Sequence, residues 1–225
     1  MRYFILISIF VSGCLGIKTT RKLTNEIKQN FTNRFEGKNT GLSAKINING
    51  YYRFWFTDEF GGFKKIGNSV DTSFLDILFY EDGTFIRNFS LPSGQNNYED
   101  YFASVISNGE KDIFYKSHWW GIYTVSGDTI KTQYLMHAAK FTPWFTGEEW
   151  YLVRDKSSIQ LILYKSDIDQ TIEDARLENN KYVKSATVAS FHPVINIPPP
   201  NGWLKKENFF WRNEENWKRY IRSRN

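Results

Sequence analysis

Three turn motifs, each lying between two runs rich in apolar residues, constrain this chain most strongly and predict an antiparallel sheet. The first turn, Asp82-Gly83, separates residues 74–80 from residues 84–89. The second, at residues 126–128, separates 121–125 from 129–136. The third, at 155–158, separates 150–154 from 159–164. Because a short turn between two apolar runs is a strong local signal for a β-hairpin, the sequence predicts six strands in three hairpins.

The run after the second turn has the alternation of a strand that is buried on one face only. The residues of the predicted inner face are Ile130, Thr132, Tyr134 and Met136. Two further strands are predicted, one at Tyr51 and one over residues 181–191, which Pro193 ends. Long helical patterns do not alternate with these strands. We therefore expect an all-β fold, an up-and-down antiparallel meander that closes into an eight-stranded barrel.

Short helices are predicted at residues 98–106 and 168–177, the second with Ser166 and Asp169 spaced as a capping box. Three prolines at 198–200 mark a boundary, and the segment beyond them is aromatic and basic. A C-terminal helix is predicted to start near Asn213. We expect its aromatic residues to cover an edge or an end of the barrel, with an interfacial membrane helix as the alternative.

The N-terminus has the layout of a secretory signal, with Arg2 followed by an apolar run at residues 3–11. This run is too short to span a bilayer, which takes about 20 apolar residues. The small residues Ser12 and Gly13 follow the run and lead to Cys14, the one cysteine of the chain. The order resembles the lipobox of bacterial lipoproteins, and this resemblance implies that Cys14 becomes the N-terminus and carries the acyl chains. A buried core cysteine and an unpaired thiol are the alternatives.

These signals divide the chain into a signal peptide at 1–13, a lipidated tether at 14–43, a barrel domain at 44–197 and a C-terminal extension at 198–225. The tether is expected because residues 14–43 are polar and show little apolar periodicity.

The net charge of +5 is unevenly distributed. Residues 17–38 carry six Lys/Arg and two Glu, residues 201–225 carry seven and three, and residues 39–200 carry 15 Lys/Arg and 19 Asp/Glu. Basic ends suit anionic lipid head groups or an acidic cell-wall polymer, or they form a solvated tether and a surface helix. The sequence has no nucleic-acid recognition motif, so no nucleic-acid partner is expected.

The chain resembles the lipocalin-like lipoproteins of Bacteroidota at residues 50–52, 78–85, 120–130 and 150–153. The most distinctive of these segments is 120–130, with the pattern Trp-Gly-x-Tyr-x-Val-x-Gly-Asp-x-Ile. The resemblance implies a small barrel at the bacterial cell envelope, lipid-anchored at the outer membrane.

The sequence presents no convincing catalytic constellation. His118, His137 and His192 lack the spacing of metal ligands, and we expect no metal or cofactor. The adjacent carboxylates Glu148-Glu149 and Asp58-Glu59 are interpreted as solvated loop charges. Nucleophile-elbow, P-loop and dinucleotide motifs are missing. A non-enzyme is therefore expected, and a hydrolase that uses a carboxylate pair is the remaining alternative.

An eight-stranded barrel is filled by its own side chains or holds one small ligand. A pocket would be lined by aromatic residues and would suit a small hydrophobic molecule, or a sugar stacked on Trp119 or Trp120. The candidate pocket residues are Tyr52, Phe54, Trp120, Tyr123, Tyr134 and Trp150. The alternative is a filled barrel that docks through its outer face on an envelope protein complex or an anionic polymer.

Overall fold

The computed structural model describes residues 23–56, 74–89, 91, 97–117, 119–136, 144–166, 172–176 and 180–224. Cys14 and the predicted signal peptide lie outside these residues, as do His118, His137 and the pair Asp58-Glu59.

Eight antiparallel strands form one closed barrel in which each strand pairs with the next and the last pairs with the first. The strands are β1 (Gly50–Trp55), β2 (Phe74–Phe79), β3 (Thr84–Arg87), β4 (Trp120–Ser126), β5 (Thr129–Met136), β6 (Phe145–Asp155), β7 (Ser158–Ser166) and β8 (Ala189–Pro193). This confirms the predicted fold class, including the three hairpins and the order of the strands.

The hairpin turns follow from local backbone chemistry. Gly83 and Gly127 have φ values of 93° and 56°, which suit glycine because a side chain is strained there. Asp82 accepts hydrogen bonds from the backbone N–H and the hydroxyl of Thr84, which fixes the first turn.

The turns between β2 and β3, β4 and β5, and β6 and β7 lie at one end of the barrel, called here the turn end. The longer connections leave from the opposite end, called the loop end.

Six α-helices are described: α1 (Asn25–Asn30), α2 (Tyr98–Asn108), α3 (Ile113–Lys116), α4 (Ile172–Ala175), α5 (Lys181–Ser185) and α6 (Glu214–Arg222). The predicted helix at 98–106 is confirmed as α2, and the C-terminal helix is confirmed with Asn213 as its N-cap. Of the helix predicted at 168–177, the structure describes α4, while Asp169 lies outside the described residues. None of these helices is long and apolar enough to cross a bilayer.

The strand predicted over 181–191 is wrong for residues 181–188. The Asn180 side chain accepts hydrogen bonds from the N–H groups of Tyr182 and Val183, and so caps α5. The strand begins only at Ala189. The N-cap overrides the strand propensity of the valine and aromatic residues in this segment.

The protein has two apolar cores, one inside the barrel and one outside it. The inner core contains Tyr52, Phe79 and Tyr123. The outer core joins the outward-facing side chains of Leu78, Trp120 and others on β2–β5 to the helices and to both terminal segments. The strands of this half of the barrel are therefore buried on both faces.

Residues 23–43, the described part of the predicted tether, pack against the barrel instead of extending away from it. Leu23, Ile27, Phe31 and Phe35 recur every fourth residue and are all buried. All four belong to the outer core, although only Ile27 lies within α1. The segment is polar overall, so its composition did not reveal that these four apolar residues are buried.

The C-terminal extension packs beside this segment on the outer face of the barrel wall, and not at an edge or an end as predicted. Leu204 and Phe210 are buried in the outer core. Phe35 forms a parallel β-bridge with Trp211, and its backbone N–H donates to the carbonyl of Phe210 at 2.8 Å.

Candidate functional site

The turn end of the barrel is closed by residues that precede β1. Leu42 and Ile46 are fully buried in the inner core. The Tyr52 hydroxyl donates to the Lys156 carbonyl at 2.7 Å, and the Tyr123 hydroxyl donates to the Tyr80 carbonyl at 2.6 Å. Aromatic rings and tight hydrogen bonds thus fill this half of the interior.

A buried ion pair lies inside the barrel toward the loop end. Arg87 is the last residue of β3, and Nη2 of its guanidinium lies 2.9 Å from Oε1 of Glu149 on β6. The two side chains are 4% and 0% exposed. Strand alternation places them there, because Arg87 shares the inner face with Phe85, and Glu149 shares it with Tyr151.

Tyrosine hydroxyls surround the ion pair. Tyr151 donates to the second carboxylate oxygen of Glu149. Nη1 of Arg87 donates to the hydroxyl of Tyr134, and Nη2 donates to the hydroxyl of Tyr182 at 3.0 Å. The hydroxyls of Tyr134 and Tyr182 each lie 3.4 Å from Oε1 of Glu149. Strong charge-assisted hydrogen bonds therefore connect the five side chains into one network.

The electrostatics keep Arg87 charged and the phenols protonated. Burial by itself would lower the pKa of Arg87, but the adjacent Glu149 carboxylate and the tyrosine hydroxyls outweigh it, and the net shift is upward. Burial is the largest cause that raises the pKa of Tyr151 well above its ordinary value, and the Glu149 carboxylate is the second. Burial raises the pKa of Tyr134 against the opposing effect of Arg87. The phenols are donors at neutral pH.

One donor of the network has no acceptor among the described residues. Nε of Arg87 is buried and has no hydrogen-bond partner in the part of the chain that the structure describes. The guanidinium lies over two rings, 5.1 Å from the centroid of Trp119 and 4.4 Å from that of Tyr134. A buried N–H of a charged group without an acceptor costs about 1–3 kcal/mol or more. The Arg87 side chain thus carries a buried hydrogen-bond donor that no described residue satisfies.

Partly buried aromatic residues flank the network at the loop end. Tyr182 stacks on Phe56 with a centroid distance of 5.0 Å, and its ring lies 4.7 Å from that of Tyr164. Trp119 packs on Tyr134 with a centroid distance of 6.1 Å. Together with Arg87 and Glu149, these rings define the candidate site, a polar centre with an aromatic surround.

Four of the six candidate pocket residues face the interior. Tyr134 belongs to the ion-pair network, while Tyr52, Phe54 and Tyr123 are fully buried in the inner core. The assignments of Trp120 and Trp150 to the pocket are wrong, because both face outward. Trp120 lies in the outer core, stacked on Tyr80, because helices cover the outside of β4.

Trp150 lies on the outer surface, where Lys131 Nζ is 4.1 Å from the centroid of its ring. Strand alternation fixes this position, since the inner face of β6 carries Glu149 and Tyr151. The same alternation overturns the interpretation of Glu149 as a solvated charge. Its neighbour Glu148 points to the opposite face, where it accepts a hydrogen bond from the indole N–H of Trp150.

Sequence reasoning missed Arg87 and Glu149. The signal was present in the register, because Arg87 lies two residues after Phe85 and Glu149 two residues before Tyr151. The inward position of Glu149 could be predicted only from a strand that includes it. The structure begins β6 at Phe145, five residues before the predicted start.

Other candidate chemistry does not converge in the described residues. His192 stacks on Tyr51 on the outside of the barrel with a centroid distance of 5.1 Å. No group of three His, Cys, Asp or Glu side chains within the described ranges is arranged to hold a metal ion.

The class that the fold defines is the closed, eight-stranded antiparallel β-barrel. No family model, no curated protein and no solved structure matches the chain.

Proposed function

We propose that this protein is a lipid-anchored, non-catalytic binding protein of the bacterial envelope that holds a small ligand at the loop end of its barrel. The observation that carries the proposal is the buried Arg87 Nε–H, which lacks an acceptor among the described residues. An acceptor oxygen on a ligand would satisfy this donor and remove the cost of leaving it unpaired.

The surroundings of Arg87 favour a ligand without net charge. The charges of Arg87 and Glu149 balance, so an added charge would find no counter-ion in the network. The rings of Trp119, Tyr164 and Tyr182 offer apolar faces around the polar centre. These features support a small hydrophobic molecule with a hydroxyl or carbonyl oxygen, or a sugar-like molecule that stacks on Trp119.

The proposed location depends on the N-terminal sequence. Cys14 is the proposed lipid attachment site, in line with the resemblance to lipocalin-like lipoproteins of Bacteroidota, and the outer membrane is the proposed site of anchoring. Several acyl chains on one residue anchor a soluble domain stably.

The test is native mass spectrometry of the full chain purified from its own host. We expect a reproducible added mass that is lost on denaturation. Arg87→Lys keeps the positive charge beside Glu149 but removes the Nε–H, and it should abolish the added mass. Arg53→Lys is the matched control, because Arg53 forms the corresponding ion pair with Asp76 on the outer face at 2.8 Å. A wild-type chain without any bound mass would rule the proposal out.

A second candidate function has support from the filled interior of the barrel. Tyr52, Phe54, Phe79 and Tyr151 are 1–2% exposed. A filled barrel would act through its outer face, on an envelope protein complex or an anionic polymer. Crosslinking in the native host, followed by the recovery of one reproducible protein partner together with an apo mass, would favour this function.

A further inference from the structure

The two basic ends of the chain form one continuous surface. Residues 23–38 and 201–224, called here the terminal layer, lie side by side on the outer core. The backbone N–H of Phe35 donates to the carbonyl of Phe210 at 2.8 Å, and that of Arg212 donates to the carbonyl of Phe35 at 2.9 Å. Ring contacts between Phe31 and both Phe209 and Phe210, with centroid distances of 5.9 and 6.0 Å, extend the contact.

Basic side chains from both segments converge on shallow depressions along this contact. A depression of about 440 Å³ is bordered by Lys28, Arg34 and Arg212. Another, of about 430 Å³, is bordered by Lys38 and Arg212. A cleft of about 490 Å³ is bordered by Lys205 and Arg219. Carboxylates line the same depressions: Glu207 and Glu214 the first, Glu36 the second, and Glu36 and Asp82 the cleft. Cations that are far apart in sequence thus share one face.

The layer has an excess of positive charge that its own carboxylates do not neutralise. Its described residues include ten Lys/Arg and five Glu, whereas residues 39–200 include 15 Lys/Arg and 19 Asp/Glu. Lys38 and Arg212 share Glu36, and Lys206 and Arg224 share Glu110.

Four cations of the layer, Lys28, Arg34, Arg219 and Arg222, form no ion pair with any residue that the structure describes. Positive potential therefore accumulates on this side of the molecule.

The layer also begins only a few residues after the proposed anchor in the sequence. Residues 15–22 separate Cys14 from Leu23, which is buried in the outer core, and eight residues span at most about 30 Å. An acylated Cys14 would therefore hold the layer close to the bilayer surface. This step rests on the proposed function.

We propose that the terminal layer docks on the surface of an anionic phospholipid membrane, as a second membrane signal beside the acyl chains. A basic patch is attracted to anionic head groups within about a Debye length, roughly 10 Å at 0.1 M salt. The acidic remainder of the molecule is repelled by the same surface, so the charge asymmetry orients the domain with its terminal layer toward the membrane and its acidic part away from it.

The test uses the chain from residue 15 onward, which keeps every residue that the structure describes and lacks the acylated cysteine. Sedimentation with phosphatidylcholine vesicles is compared with sedimentation with vesicles containing 30% phosphatidylglycerol. We expect binding to the anionic vesicles only, weakened at least tenfold between 50 and 300 mM salt.

The triple variant Arg34→Gln, Arg219→Gln, Arg222→Gln should reduce this binding at least tenfold, because it removes three of the cations without an ion pair. The matched control is Lys156→Gln, Lys181→Gln, Lys184→Gln, which makes the same change in net charge at exposed positions outside the layer and should bind as the parent chain does.

Several outcomes would overturn the proposal: no binding to either vesicle, equal binding to both, or equal weakening by the two triple variants. Binding to soluble poly-glutamate without binding to anionic vesicles would also overturn it, and would assign the layer to an acidic polymer. The proposed anchor is tested separately by the mass of the full chain from its host, because the chain from residue 15 binds through the layer alone.

Discussion

Glu149 and Arg87 meet inside the barrel with 2.9 Å between carboxylate and guanidinium, and both side chains are almost completely withdrawn from solvent. They come from β6 and β3, which are not neighbours in the barrel. Closure of the sheet is therefore what brings the two charges together.

Replacing Glu149 by Gln leaves the Arg87 charge buried without a counter-charge. We expect the free energy of unfolding to fall by about 3–5 kcal/mol, as for other broken buried pairs. Urea denaturation measures the change. Glu148→Gln is the control, since Glu148 points outward and its substitution should cost less than about 1 kcal/mol. Equal effects of the two substitutions would contradict the assigned register.

Two tyrosine substitutions should have opposite consequences. Tyr151→Phe removes a donor to the buried Glu149 carboxylate and should lower the free energy of unfolding by about 1.5–3 kcal/mol. Tyr80→Phe should be neutral or stabilising, because the buried Tyr80 hydroxyl has no partner among the described residues. Thermal unfolding of both variants tests the pair, and a greater loss for Tyr80→Phe would show that the polar network is assigned wrongly.

The protein should lose stability steeply above pH 10. Burial, as the main cause, raises the pKa of Tyr101 and of Tyr115 to about 12, from an ordinary value of 10.0. Above pH 10 the unfolded chain releases these phenolic protons while the folded chain keeps them. The stabilising contribution is therefore complete below pH 10 and is lost as the pH rises toward 12.

Absorbance at 295 nm during an alkaline titration measures the phenolate, and circular dichroism follows the fold. We expect most tyrosines to ionise together with unfolding. Gradual ionisation near pH 10 while the native spectrum persists would refute the burial of these phenols.

The contact between the terminal segments should contribute substantially to stability. Phe210 is 1% exposed, and its ring stacks on that of Phe35 with a centroid distance of 5.2 Å. Phe210→Ala should lower the free energy of unfolding by about 3–5 kcal/mol, because it opens a cavity in the outer core. Guanidinium denaturation provides the measurement. The neighbouring Phe209 is only partly buried, so Phe209→Ala should cost about half as much or less.

Local signals in the sequence determine much of the barrel. Asp82-Gly83 and Gly127 specify their turns through side-chain hydrogen bonds and positive φ values, which act within a few residues. Alternation on β5 places Ile130, Thr132 and Tyr134 inside, as predicted. Turn chemistry and a period of two therefore sufficed for the hairpins, the antiparallel order and the number of strands.

The same local signals misplaced two candidate side chains and one strand. Trp120 and Trp150 are bulky and aromatic, so composition favoured the interior for both, but strand register places them outside. Residues 181–185 have strand propensity, yet a single Asn180 side chain makes them a helix.

The sequence by itself determined the strands, the turns and the uneven charge along the chain, because each depends on residues that are close together in the sequence. Only the tertiary structure decided that Arg87 meets Glu149, that Phe35 meets Trp211, and that the two basic ends share one face. Those contacts join segments far apart along the chain, and their energies exist only once the barrel has closed and its register has placed each side chain inside or outside.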